Sequence, residues 1–476
     1  MNKVSIWDRD NSYLLFILAV SSLFIYFTPP GISRVAYLLL LIPVAYSRKD
    51  YVWLAFLFIL LETPNYLYYG GTRDDPTRIP IYTFGEGISF GFQDILMIVL
   101  LTKNIKNDLG PFRKFRYEMI GISAIFMISL LVGIIIGMKF SNYSQTIRFI
   151  MPLIYIIMIP KTMKKPEDWL HFLKLIFPVV IFTFIGQIYF IIKKEPLSSL
   201  IFPDMIQKVN MNFLVYLRDS QVSRYITGPY IGYICFCAAL YYLTYKNPVF
   251  NASYLKLIVT LSFLQPILSA TRSHSIVFLF IFLGWILSQK VTKLPKIILL
   301  IIIILLVGIH QINKSTVVKS QIDKSYERLM TVTNIVKGDM TAGGTYSRLT
   351  THTTSVMKKY IESPLFGFGF SDEFFQNSDD HVGVPNMLLN IGMIGFVLFS
   401  AIILSIIKKI LKIDKKKRLS MEKKLFLLGV IGIIWIHIFG RQLFGFCLAS
   451  DVQFFIIVFF SFWITITANV KTSKVI

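Results

Sequence analysis

Five arginines and one histidine carry the chemistry this sequence offers. Arg224 stands in Ser223-Arg-Tyr-Ile-Thr-Gly228-Pro229, directly before an apolar run. Arg272 stands in Ser269-Ala-Thr-Arg-Ser-His274, between two apolar runs. Arg348 follows Gly344-Thr-Tyr-Ser, Arg441 follows one apolar run and Arg148 opens another. A planar guanidinium presents a fork of donors that grips two phosphate oxygens at once, which a flexible ammonium does not. Arg272 is the most informative, because its turn is a few residues long and pins the cation at a membrane boundary. One such arginine is ordinarily a snorkelling anchor among lipid headgroups. Two of them, Arg224 and Arg272, flanking adjacent helices on one side, favour a phosphate site.

The histidine is His381, in Ser378-Asp379-Asp380-His381-Val382-Gly383-Val384-Pro385-Asn386. A neutral imidazole there can take a proton from a hydroxyl, and the neighbouring carboxylates orient it and raise its pKa. The bland alternative is a solvated loop residue. An Asp-Asp-His metal site has too few fixed ligands in view. His274 and His352 read as a helix-start and a helix-face residue, and His437 as a buried polar contact. Asp94 and Glu86 read as members of internal ion pairs. Cys235, Cys237 and Cys447 show no CxxC spacing and read as small buried hydrophobes. There is no P-loop, no GxGxxG opening a helix, no HExxH and no GxSxG. The energy for any reaction therefore comes from the substrate or from a gradient.

A membrane scaffold must position these groups. Of 476 residues, 55% are hydrophobic, 15% aromatic and only 16% charged, with mean hydropathy +0.63. This excludes soluble globular, disordered and nucleic-acid-binding classes. Fourteen apolar segments run from 12–27 to 452–470, which predicts an all-α, polytopic integral membrane protein of about 14 transmembrane helices. The first segment reads as a retained anchor, since Thr28-Pro29-Pro30-Gly31 resembles a turn more than a cleavage site. The net charge of +23 reads as an orientation signal. Lys408–Lys424 holds nine basic residues against Asp414 and Glu422 and belongs in the cytoplasm. Counting outward puts both termini inside and every strong basic turn with them.

The predicted organisation is 1–192 N-terminal membrane helices, 193–225 an external loop, 226–312 helices bearing the arginine motif, 313–383 a large external loop, and 384–476 C-terminal membrane helices. Loops this long are usually functional. The second has balanced charge, with eight basic and eight acidic residues, and reads as an ordered cap. It contains a predicted helix around Ser347–Glu362 and a tight turn at Phe366-Gly367-Phe368-Gly369. No internal repeat is evident, which weighs against a transporter built from duplicated halves.

Four of these patterns, in this order, resemble the O-antigen ligase and polymerase superfamily. Arg224-Tyr-Ile-Thr-Gly228 is similar to its R-x-x-G element, and Ser269-Ala-Thr-Arg272-Ser to its S-R-G. Arg348, followed by Ser363-Pro-Leu-Phe-Gly367-Phe-Gly369, resembles its loop helix. His381 before Gly392-Met-Ile-Gly395 resembles its His-Asn element. The likeness covers about 224–400. Departures are Ser273 for glycine, Val382 where ligases carry Asn (a role Asn386 could take), and no Trp after Arg348.

The resemblance implies a donor sugar chain on undecaprenyl pyrophosphate at the outer face of the inner membrane, with the lipid bilayer and a chain-length regulator protein as partners. It implies inverting transfer without metal or other cofactor. Arg224 and Arg272 would clamp the diphosphate and His381 would act as base. Arg348, Arg441, Asp380 and Asn386 would bind substrate. The long loops and the missing His-Asn pair favour a repeat-unit polymerase; ligation to lipid A-core and transport of the lipid-linked unit are the alternatives.

Overall fold

Uninterrupted apolar runs have no polar stripe to turn toward water. They form helices that satisfy their own backbone and meet either each other or lipid. The computed structural model describes residues 9–27, 31–62, 80–84, 88–139, 153–194, 197–200, 214–217, 220–223, 229–245, 249–269, 271–289, 315–336, 348–379, 382–412, 420–438 and 450–469. The helices are α1 (Arg9–Phe27), α2 (Ile32–Ser47), α3 (Asp50–Glu62), α4 (Phe92–Asn104), α5 (Arg116–Ile136), α6 (Leu153–Thr162), α7 (Pro166–Lys193), α8 (Pro229–Tyr245), α9 (Ala252–Leu268) and α10 (Arg272–Leu287). They continue with α11 (Thr316–Val336), α12 (Thr353–Tyr360), α13 (Asp372–Asn377), α14 (Gly383–Lys412), α15 (Met421–Ile438) and α16 (Ser450–Asn469).

Among the described residues three stretches, Gly110–Ile136, Pro166–Lys193 and Gly383–Lys412, are long and apolar enough to cross a membrane, and further helices are shorter but apolar. The chain is thus a helical membrane protein. Its centre is built from α3, α8 and α16. On α3 every residue from Val52 to Leu61 is buried, and on α8 so is every one from Ile231 to Leu240. Tyr233 of α8 meets Phe455 and Phe459 of α16 at ring-centroid distances of 5.5 and 6.0 Å. On α5, by contrast, Ile120, Met127, Leu131 and Ile135 are exposed. Their spacing of four to seven residues is one helix face, the face that lipid covers.

Several ion pairs lie at one end of the bundle. Lys103 Nζ lies 2.8 Å from Asp50, Lys164 Nζ 2.5 Å from Asp108 and Lys409 Nζ 2.6 Å from buried Glu118. The hydrogen bond and charge of Lys164 hold the Asp108 carboxyl below its usual range.

The all-α architecture holds, and two features refine it. Among the described residues two short antiparallel hairpins are present, β1 (Pro80–Phe84) with β2 (Ile88–Gly91), and β3 (Leu214–Leu217) with β4 (Ser220–Ser223). The run 80–84 carries Ile81, Tyr82, Thr83 and Phe84, residues that fit a pleated surface better than a helix. The apolar segment read at 88–102 therefore begins as a strand, and Asp94 caps the helix that follows by accepting the Gly91 N–H at 2.9 Å. The second refinement is in α14, which the sequence presents as one span. Its backbone is broken at Gly392, where φ is 66° and ψ −178°.

Candidate functional site

The break at Gly392 frees four backbone groups that an intact helix would pair internally: the carbonyls of Leu389 and Asn390, and the N–H groups of Met393 and Ile394. Unpaired polar backbone is costly away from water. The segment Pro364–Gly369 supplies all four partners. Phe368 N donates to Leu389 O and Gly369 N to Asn390 O, each at 2.8 Å; Met393 N donates to Pro364 O at 2.9 Å and Ile394 N to Leu365 O at 3.2 Å. Side chains lock the insertion. Asn390 Nδ2 donates to Gly369 O at 3.1 Å, and Ser129 Oγ of α5 donates to Asn390 Oδ1 at 2.5 Å. Gly367, Gly369 and Gly392 all have positive φ, and a Cβ on any of them would run into backbone. The Gly-rich turn read from the sequence is therefore a plug that fastens the segment after α12 onto a membrane helix.

Above the plug, Lys359 of α12 pairs with Glu362 at 2.7 Å and with Glu373 of α13 at 2.8 Å. Hydrogen bonds to these two carboxylates raise its pKa. Its ammonium also lies 5.0 Å from the Phe368 ring centroid.

A second fastening acts on the segment that enters α14. Asn386, 3% exposed in the first turn of α14, grips one residue, Asp379, by both its main-chain groups. Its Oδ1 accepts the Asp379 N–H at 2.9 Å, and its Nδ2 donates to Asp379 O at 2.6 Å. Val382 N donates to the same carbonyl at 3.2 Å. The Asp379 carboxylate is left for His352, whose Nδ1 lies 2.5 Å from Oδ2. His352 closes a single π-helical turn, Arg348–His352, that leads into α12. The helix-face reading of His352 is thus refined: its ring pairs with the Asp379 carboxylate, with side-chain exposures of 32% and 25% for the two partners.

Arg272 belongs to a second neighbourhood. It is the first residue of α10, reached through a tight turn in which Ser269 N donates to Gln265 O at 3.0 Å and Thr271 N to Pro266 O at 3.2 Å. Beneath it lies a buried polar cluster. Gln187 Nε2 of α7 donates to Gln265 O and Gln265 Nε2 donates to Thr183 Oγ1, both at 2.8 Å. From outside the apolar runs, α11 reaches this end of α9 through Gln321 Nε2, which donates to Leu268 O at 2.7 Å. The same helix lies against β4. Strand β4 ends at Ser223, the residue before Arg224.

The structure brings Asn386 to Asp379 and His352, and holds Arg272 in the separate α9–α10–α11 corner. Helices α14 and α15 join the two neighbourhoods by packing on each other, α15 also against α10. Arg148, Arg224, Arg441, Asp380 and His381 lie outside the described residues, and Arg348 is described in its backbone alone. Cys235 and Cys237 are buried free thiols, as read. Among the described residues no group of three or more His, Cys, Asp or Glu gathers to hold a metal ion. No family model matches this chain, and no curated protein is similar to it.

Proposed function

We propose that the protein polymerises oligosaccharide repeat units carried on undecaprenyl pyrophosphate into a surface polysaccharide, at the outer face of the inner membrane. In this reading about fourteen helices cross the bilayer, both termini are cytoplasmic and 313–383 faces outward.

The observation that carries the reading is the bridge made by α11. It holds the end of α9 four residues before Arg272 and lies against the strand that ends one residue before Arg224. A single helix outside the apolar runs that fastens both arginine-bearing segments suits a clamp for a diphosphate, whose charge needs two guanidinium forks held in register.

In the reaction, an acceptor sugar hydroxyl attacks C1 of the donor. The C1–O bond to the diphosphate breaks, its electron pair leaves on undecaprenyl pyrophosphate, and the hydroxyl proton passes to an imidazole. Arg224 and Arg272 stabilise the charge growing on the leaving oxygen. Because the diphosphate leaves readily, the acid carboxylate of a glycosidase has no task here. The sequence points to His381 as the base, with Asp380 beside it. Arg348 and Arg441 hold further phosphate or sugar groups, and Asn386 holds Asp379, two residues before His381 in the sequence.

Arg272→Ala in the source strain tests this. The polysaccharide ladder is expected to fall to single-repeat bands, with polymer reduced at least about 100-fold, the usual loss for one transition-state charge donor. Arg272→Lys is expected to restore part of it. Polymer retained on the lipid carrier would identify a ligase, and repeat units stranded on the inner leaflet would identify a transporter. An unchanged ladder in both variants removes the proposal.

A further inference from the structure

We infer that the cleft between α5, α14 and α16 holds one acyl chain of an anionic phospholipid, whose headgroup sits on the cations at the start of α5. The inference stands apart from the transferase reading. Three apolar stripes define the cleft. On α5, Met119, Ile122 and Phe126 recur at three and four residues, which is one helix face. On α14, Phe399, Ile403 and Ile406 recur at four and three, and α16 faces both from Gln453 to Ile464. Helix α14 packs on α5 and on α16, yet the three faces do not close on one another. A cavity of about 100 Å³ is left between them.

Hydrocarbon suits this space better than water. One water needs about 10–15 Å³ and two to four polar partners. The cavity is several times larger, and among the described residues only Gln453 and Ser461 bring polar side chains to it. Its length fits a chain from one leaflet. From Gln453 to Ile464 the helix rises about 16 Å, roughly half of a hydrocarbon core about 30 Å thick. Left empty, the cleft would forfeit dispersion contacts along three helices.

The residues at its end select the headgroup. Phe112 and Phe115 line the cleft from the 3-10 turn Gly110–Phe115. Between and beside them stand Arg113, Lys114 and Arg116, all exposed. Among the described residues none of these three side chains has an acidic partner. The acids of the same segment are engaged elsewhere, Asp108 by Lys164 and Glu118 by Lys409 and Ser405. Lys409 also lies 5.9 Å from the Phe115 ring centroid, a fourth cation at the same end. A phosphodiester is the lipid group that such cations attract, and basic sites between membrane helices take anionic headgroups in this way.

Orientation alone is the competing explanation, since cations flank membrane helices on the cytoplasmic side. That rule counts charges and asks for no cavity at their foot. Here the turn that carries Arg113 and Lys114 also lines the cleft, so cation and cavity form one unit.

The test uses the full-length protein, delipidated in a mild detergent. Lipid retention is read by native mass spectrometry and the unfolding midpoint against added phosphatidylglycerol or phosphatidylcholine. Phosphatidylglycerol is expected to bind at least about tenfold more tightly, since each basic residue near an anionic headgroup contributes roughly fivefold. Arg113→Gln, Lys114→Gln and Arg116→Gln together are expected to erase that preference. Ile403→Trp, which fills the cleft and leaves the cations, is expected to abolish phosphatidylglycerol retention while eluting as a single peak in detergent chromatography. Should that variant not fold, the exposed charge variant decides alone. Equal affinity for the two lipids, or a preference that survives loss of all three cations, overturns the inference. So does a folded Ile403→Trp protein that still retains phosphatidylglycerol. Displacement of phosphatidylglycerol by an equimolar polyprenyl phosphate also overturns it, because the cleft would then be a carrier-lipid site.

Discussion

A single amide shows how much one side chain decides. Asn386 both donates to the carbonyl and accepts from the N–H of Asp379, so its two ends cannot be exchanged, and the nearly isosteric carboxylate fails at one of them. In Asn386→Asp the oxygen replacing Nδ2 would face Asp379 O, two acceptors at donor–acceptor distance. The expected cost is about 1–3 kcal/mol, that of a buried polar group left without its partner. It is read as a lower midpoint of thermal unfolding in detergent, and an unchanged midpoint would show that the clamp carries no energy. At this scale the sequence is partly legible. Arg272 is recognisable because a short turn between apolar runs leaves its cation no other place. Asn386 is recognisable only as a substitute for a missing neighbour of His381. His352 escapes because its partner is 27 residues away, and nothing local in Arg348-Leu-Thr-Thr-His352 announces a carboxylate from beyond two turns.

Among the elements, α14 is the one whose continuity misleads. Every residue from Met387 to Gly392 is buried and the run is apolar beyond it, so hydropathy reads one span across a backbone break. Glycine permits both a straight helix and a positive φ. What selects the break is the segment 364–369, which is not adjacent in sequence to the positions it pairs with. The hairpins are different: Pro80-Ile-Tyr-Thr-Phe84-Gly-Glu-Gly-Ile88 has β-branched and aromatic residues on both sides of a Gly-rich turn, a legible strand signal that a scan for apolar length passes over. The plug yields a sharp expectation. At Gly392 a Cβ would meet the carbonyl of Leu365 and the N–H of Phe366, backbone atoms that cannot swing aside. Gly392→Ala therefore pays for a positive φ with an extended ψ, about 1–3 kcal/mol, and also loses the four bonds that hold the plug. Gly121→Ala, in regular helix, meets only the outer atoms of the Ile402 side chain, which can turn aside, and is the control. The expected result is aggregation or loss of yield for Gly392→Ala and a folded protein for Gly121→Ala; equal behaviour would mean the break is not needed.

For the whole molecule, orientation follows from where charge can be left. The ion pairs Lys409–Glu118, Lys164–Asp108 and Lys103–Asp50 crowd one end of the bundle, and the same end carries the basic turns that the orientation rule assigns to the cytoplasm. The α12–α13 cap, with Lys359 between Glu362 and Glu373, has near-balanced charge and is fastened to α14 at the far side of its break. If the transferase reading is right, these two ends face opposite compartments, because repeat units are joined only after they have crossed. Single-cysteine labelling decides this. With Cys235, Cys237 and Cys447 replaced by alanine, Glu362→Cys and Arg113→Cys both place a thiol at an exposed position. A membrane-impermeant maleimide added to spheroplasts is expected to label Glu362→Cys at once and Arg113→Cys only after lysis. Labelling of both in intact spheroplasts, or the reverse order, would put the cap on the side where lipid-linked chains are assembled rather than joined, and a phosphate clamp at Arg272 would then have no diphosphate donor to hold.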